Sequence, residues 1–156
     1  MNTVYFSLGA NLGEREQTLT QAIQMMEQQI GSLLRCSSFF YSEPWGFQSE
    51  HVFCNICASF LTELTPEQLL KETQAIERLL GRTEKSTLPT NTQRTDCLPN
   101  YHDRTIDIDL LQYFDSNHQE RIVQTPSLTL PHPLMHRRDF VRIPLQEITT
   151  AEIHQP

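Results

Sequence analysis

Strand-like and helix-like segments follow one another along this chain in one definite order, and that order is the strongest constraint on its fold. "TVYFSLG" (Thr3–Gly9) has strand composition and runs into the turn residues Gly9, Asn11 and Gly13. Glu14–Ile30 has helical spacing, with Leu19, Ala22, Ile23, Met26 and Ile30 on one stripe and Gly31 as the stop. A strand over Leu33–Tyr41 follows, then the loop "SEPWGFQSE" (Ser42–Glu50) and a third strand over Val52–Leu61. Thr65 suits a helix N-cap and Pro66 the first helical position; Leu69, Leu70, Thr73, Ile76, Leu79 and Leu80 make the stripe that Gly81 ends. The last strand is Thr105–Phe114. The sum, βαββαβ, predicts a ferredoxin-like α+β fold: an antiparallel sheet with two helices packed on one face. The C-terminal extension adds short strands near Arg121–Val123 and Ser127–Leu130 and a helix after Pro133, so residues 1–156 read as one domain.

Within the last strand, "DRTIDIDLLQYF", Asp107 and Asp109 alternate with Ile106, Ile108 and Leu110. Residues i and i+2 of a strand share a face, so the two carboxylates lie side by side. Like charges that close repel unless a cation lies between them. A solvated strand edge is the plain reading of such a pair. The sharper reading is Mg²⁺, a hard cation that binds one or two carboxylates and completes its shell with water and phosphate oxygens. Two such ions held together are the usual equipment for in-line phosphoryl displacement.

The charge distribution bears on this. A net charge of −7 argues against a nucleic-acid binder that relies on bulk electrostatics. Residues 1–80 carry four Lys/Arg against nine Asp/Glu, whereas residues 81–145 carry eight against eight. Basic side chains thus gather in the half that holds the acid pair. No P-loop or kinase-type glycine loop is present, so the candidate phosphate ligands are Arg82, Lys85, Arg94, Arg104, His132 and Arg138. His132 lies between two prolines, which fix its backbone. Taken singly, each is as well read as a surface residue.

Other features bound the setting. No apolar run approaches the roughly 18 residues of a membrane span, and the N-terminus lacks signal-peptide organisation. Cys54 and Cys57 form a CxxC, but on a strand they point to opposite faces; reduced thiols in a cytoplasmic protein are expected. "TEKSTLPTNTQRTDCLPN" (Thr83–Asn100) is an 18-residue polar connection with five threonines, long enough to be either a mobile lid or an inconsequential insertion.

"FSLGANLGE", "SEPWGFQSEHVFCN", "IERLLGR", "DRTIDIDLL" and "LPHPLMHRRDFVRIPL" occur in this order over nearly the whole chain. Together they resemble the 6-hydroxymethyl-7,8-dihydropterin pyrophosphokinases of folate biosynthesis. The resemblance implies that Asp107 and Asp109 hold two Mg²⁺ on ATP, and that His132 and Arg138 bind phosphate. It further implies that Arg82 and Arg104 are the arginines of a loop at the reaction centre, with Lys85 nearby. Gln74 and Glu77 would lie near the nucleotide, although an exposed-face role suits Glu77 almost as well; Leu110, Leu128 and Thr129 would surround the adenine. Ser42, Pro44, Trp45, Phe53, Asn55 and Phe140 would form the pterin pocket. A flat pterin suits stacking between Phe53 and Phe140, and an Asn amide can both donate and accept against its edge. The chain departs from the family pattern at Ala10, where Ser is usual, at Glu84, where a second arginine is common, and at Tyr101, where a tryptophan stands.

What the resemblance implies chemically is attack by the pterin hydroxymethyl oxygen on the β-phosphorus of ATP, with AMP released. Catalysis would be positioning plus charge, with Asp109 as the nearest candidate base. The expected partners are ATP and the pterin, with neither nucleic acid nor membrane, and the enzyme is expected to be a monomer. Two rivals stay open: a metal-dependent phosphohydrolase, which has no use for the Trp45/Phe53/Asn55/Phe140 set, and a ferredoxin-like binding module without chemistry.

Overall fold

The computed structural model describes residues 1–10, 15–42, 53–86 and 106–154, and their side chains except those of 82–86 and 150–154. Its elements are β1 (Asn2–Ala10), α1 (Arg15–Gln29), β2 (Gly31–Cys36), β3 (Phe40–Ser42), β4 (Phe53–Thr62), α2 (Pro66–Ser86), β5 (Asp107–Phe114), β6 (Val123–Gln124), β7 (Thr129–Leu130) and α3 (Asp139–His154). The main sheet is antiparallel in the order β2-β4-β1-β5, with β3 also pairing with β4; β6 and β7 form a separate hairpin. This is the βαββαβ arrangement expected from the sequence.

Each face of the sheet has its own cover. Val4, Phe6, Leu8 and Ala10 of β1 pack with Ile56, Ala58 and Phe60 of β4 and with Leu19, Ala22, Met26, Leu69 and Ile76 of α1 and α2. On the opposite face Tyr5, Cys57 and Leu111 pack against Val141, Leu145 and Ile148 of α3. Cys54 and Cys57 fall in different clusters, so the expected divergence of the CxxC holds.

α2 begins as expected. The Thr65 hydroxyl accepts from the Gln68 amide at 3.2 Å while the Gln68 side chain accepts from the Thr65 amide at 2.9 Å, a reciprocal capping box. Its end differs: the helix continues through Gly81 to Ser86. A glycine inside a helix costs about 1 kcal/mol relative to alanine but does not break the ladder, so only residues with no helical tendency would have stopped it there. The connection expected over Thr83–Asn100 therefore starts as helix, and its remainder lies outside the described residues.

Two further boundaries moved. The second predicted strand divides into β2 and β3 because Ser37 interrupts the ladder: its hydroxyl accepts from the Cys57 amide at 3.0 Å while its own amide donates to the Cys57 carbonyl at 2.9 Å. The last helix starts at Asp139, several residues after Pro133, and contains Pro144. Pro144 has no N–H to give the carbonyl of Phe140 four residues earlier.

Candidate active site

The register of β1 assembles the site. Gly9 pairs with Asn55 on one side and Asp107 on the other, and the next same-face residue, Ser7, pairs with Cys57 and Asp109. Cross-strand partners share a face, so Asn55, Gly9 and Asp107 form one row across three strands. At about 4.8 Å per strand the outer two backbones stand roughly 10 Å apart. Between them lies a residue without a side chain. That spacing suits two adjoining ligands, one on the amide and one on the acids.

Asp107 and Asp109 are exposed, while Ile108 and Leu110 between and after them are buried in the two-helix core. The strand thus turns both carboxylates to the α3 face at a point where α3 leaves them uncovered. Among the described residues no three His, Cys, Asp or Glu side chains group as a metal site. Mg²⁺ is commonly bound by one or two carboxylates, with water and phosphate oxygens completing its shell. The acid pair fits that cation.

Asn55 is buried at 6% exposure, and its Oδ1 has no hydrogen-bond partner in the described structure. Such an orphaned acceptor is costly unless a ligand satisfies it. A Cβ on Gly9 would stand 2.4 Å from Asn55 Nδ2, so the bare glycine is what leaves this amide its place. Sequence reasoning treated Gly9 as a turn residue and missed this role; a glycine inside a strand is itself a mark of close approach. Phe53 and Ser42 pair with each other on the same face beside Asn55, both half-buried, and Phe140 packs partly buried at the start of α3.

The segment before α3 supplies nitrogen donors. The His132 amide donates to the Leu111 carbonyl at 2.9 Å, which fastens it to β5 two residues beyond Asp109. Its Nδ1 accepts from the Leu134 amide at 3.1 Å, so in the neutral ring the proton sits on Nε2 as a donor. The Arg138 guanidinium lies 5.5 Å over the Phe140 ring, a cation–π contact joining a candidate phosphate ligand to a candidate pterin wall. Beneath them, burial pushes the Cys57 thiol up to about 12, and its Sγ lies 3.5 Å from the Val141 carbonyl. It is packing, not a nucleophile.

The other expected residues are scattered in what they show. Gln74 is exposed on α2, and Glu77, half-buried, accepts from the Ile108 amide at 2.6 Å. The Leu110 side chain is buried in the core at 4% exposure, so what it can offer a nucleotide is backbone. Leu128 is half-buried and Thr129 exposed on the β6–β7 hairpin. Arg82 and Lys85 lie in the last turns of α2 with side chains outside the described residues, where Arg94, Pro44, Trp45 and Arg104 also fall.

Fold and site together define an α+β domain in which paired carboxylates and a buried amide adjoin on one sheet face. Residues 5–150 match the family described as 7,8-dihydro-6-hydroxymethylpterin-pyrophosphokinase (HPPK), and the chain belongs to that family. A Porphyromonas gingivalis 2-amino-4-hydroxy-6-hydroxymethyldihydropteridine pyrophosphokinase is 47% identical over 95% of this chain and 91% of that one. The Aquifex aeolicus protein of the same name is 32% identical over 99% and 84% of the two chains. A Dictyostelium discoideum folic acid synthesis protein, FOL1, is 34% identical over 98% of this chain, which spans only 20% of that protein. A crystal structure of an HPPK-DHPS in complex with substrates superposes with a TM-score of 0.63 over 94% of this chain and 40% of that one. At 14% identity that likeness speaks for the fold alone.

Proposed function

We propose that this chain transfers the diphosphate of ATP to the hydroxymethyl group of 6-hydroxymethyl-7,8-dihydropterin, releasing AMP, as a step of folate biosynthesis. The observation that carries the reading is the Asn55–Gly9–Asp107 row, which sets an unsatisfied buried amide next to a pair of exposed carboxylates. A phosphohydrolase has no use for that amide, and a binding module has no use for the acids.

In this reading Asp107 and Asp109 hold two Mg²⁺ that arrive with ATP, and the ions supply charge neutralisation across the triphosphate. Asn55 takes the amide-like edge of the pterin, filling the vacant valence of its Oδ1, while Phe53 and Phe140 flank the ring. The hydroxymethyl oxygen then faces the β-phosphorus. The new O–P bond forms as the bond from the β-phosphorus to the α,β-bridging oxygen breaks, and that oxygen leaves on AMP. His132 Nε2 and the Arg138 guanidinium donate to phosphate oxygens, with Arg82, Lys85 and Arg104 as further cations from the segment after α2. Asp109 is the nearest acceptor for the hydroxyl proton. Gln74, Leu128, Thr129, Glu77 and the backbone of Leu110 border the adenosine side; Ser42, Pro44 and Trp45 complete the pterin side. A single-domain monomer working in the cytoplasm belongs to the same proposal.

Mixing the protein with ATP, Mg²⁺ and the hydroxymethyl-dihydropterin gives AMP and the pterin diphosphate in equal amounts. ADP as the nucleotide product, or AMP formed at the same rate without pterin, refutes the reading. Size-exclusion chromatography with light scattering gives one chain's mass; a dimer refutes that part alone.

A further inference from the structure

β5 is the edge of the main sheet, since β1 occupies its inner side and no described strand lies beyond it. An edge strand carries backbone amides that the sheet does not satisfy. At the amide of Ile108, the residue between the two acids, a carboxylate from another element fills that role. Glu77 of α2, 31 residues away in the chain, accepts from it at 2.6 Å. α2 packs on the face opposite the acids, so Glu77 reaches the strand's rim and not the carboxylates' own side. This contact is short, charge-assisted and half-buried, the combination that makes a hydrogen bond to a carboxylate strong.

We propose that Glu77 is a positioning residue: by gripping the Ile108 amide it fixes the backbone between Asp107 and Asp109, and so the spacing at which the two carboxylates meet metal. The proposal rests on the diphosphotransferase reading for its catalytic consequence, but not for its structural content. Successive residues of a strand turn to opposite faces, so any slackening of the peptide at Ile108 tilts the side chains on either side of it. The bulge two residues further on, where β5 shifts its register against β1, leaves the strand's inner pairing discontinuous close to the acids. An outside clamp at Ile108 compensates for that discontinuity. Glu77 need not touch the nucleotide to matter, and its contact predicts a different pattern of defects from a nucleotide ligand's.

Glu77→Ala and Glu77→Gln separate the two. Glutamine keeps one oxygen of the same reach to accept from the Ile108 amide, and replaces the charge and the second carboxylate oxygen with a neutral NH₂. For Glu77→Ala the expected result is a roughly tenfold increase in the Mg²⁺ concentration giving half-maximal rate, the scale of one lost charge-assisted hydrogen bond, with the pterin KM unchanged. Glu77→Gln recovers most of it. The Ile108 amide proton, followed by NMR without substrates, moves upfield and exchanges faster in Glu77→Ala and less so in Glu77→Gln. Mn²⁺ titration in the presence of ATP, without pterin, reads the same weakening with no turnover needed. An unmoved Ile108 amide, a glutamine variant as defective as alanine, or a defect confined to the KM for ATP overturns the proposal. Should the wild-type chain form no AMP, the diphosphotransferase reading fails by itself, and the amide and Mn²⁺ measurements still decide the role of Glu77.

Discussion

Replacing Gly9 by alanine tests the row of residues on which the functional reading stands. The new Cβ would lie 2.4 Å from Asn55 Nδ2, 3.4 Å from its Cγ and 4.0 Å from Oδ1. Contacts of ordinary length begin near 3.4 Å, so the amide must withdraw by about an ångström. A hydrogen bond of about 2.9 Å stretched by that much is no longer one. The pterin then loses a partner for a buried polar group, which costs about 1–3 kcal/mol, or roughly 5- to 150-fold in kcat/KM for the pterin. Fitting the methyl into a packed strand costs roughly 1–3 kcal/mol of stability as well, a drop of several degrees in Tm that leaves the domain folded. Steady-state AMP formation with pterin varied at saturating ATP measures the first effect; with ATP varied at saturating pterin, KM stays within about twofold. Because both changes act through one amide, Gly9→Ala added to Asn55→Ala causes little further loss. An unaltered pterin kcat/KM, equal losses for the two substrates, or full additivity in the double variant would refute the reasoning.

The remaining predictions concern the acids, a cap and alkaline pH. Asp107→Ala and Asp109→Ala each cut turnover by at least about 10²- to 10³-fold, yet leave the domain folded, since both side chains are exposed; an active variant of either kind removes the metal pair. Thr65→Ala opens the capping box of α2 and costs about 1 kcal/mol, seen as a fall of about 2–4 °C in Tm with kinetics untouched; an unchanged midpoint counts against the cap. Burial raises the Cys57 thiol from 9.0 to about 12 in the folded chain, so the unfolded chain loses this proton first. The associated stability is intact below pH 9, and is lost as pH climbs toward 12. Urea unfolding followed across that window shows a steeper loss for the wild type than for Cys57→Ala, and parallel slopes contradict the assignment.

How much of this was legible in the sequence depended on how each strand is covered. β5 is covered fully on the two-helix face, but on the other face α3 stops short of its first residues, so apolar and acidic side chains alternate there and Asp107 and Asp109 stand out. β4 is covered on both faces, and Cys54 through Phe60 are all buried. A strand of that kind reads as one apolar run, within which a lone Asn carries no periodic signal. Asn55 could be found only by resemblance. Gly9 was visible, but its neighbour across the sheet was not, because register joins residues 46 positions apart through the pairing of β1 with β4. The boundary of α2 failed for a local reason: Gly81 discourages a helix without forbidding it, so the helix runs on to Ser86, while the last helix begins at Asp139, several residues after the proline that marked its expected start. The same difference in cover explains where the chemistry lies. α3 seals the middle of the second face with Val141, Leu145 and Ile148, and polar function survives only where that seal ends, at the tips of β1, β4 and β5. A helix laid over the start of β5 would bury the carboxylates without a cation to accompany them, and the desolvation of two like charges would exceed anything the extra apolar contact returns.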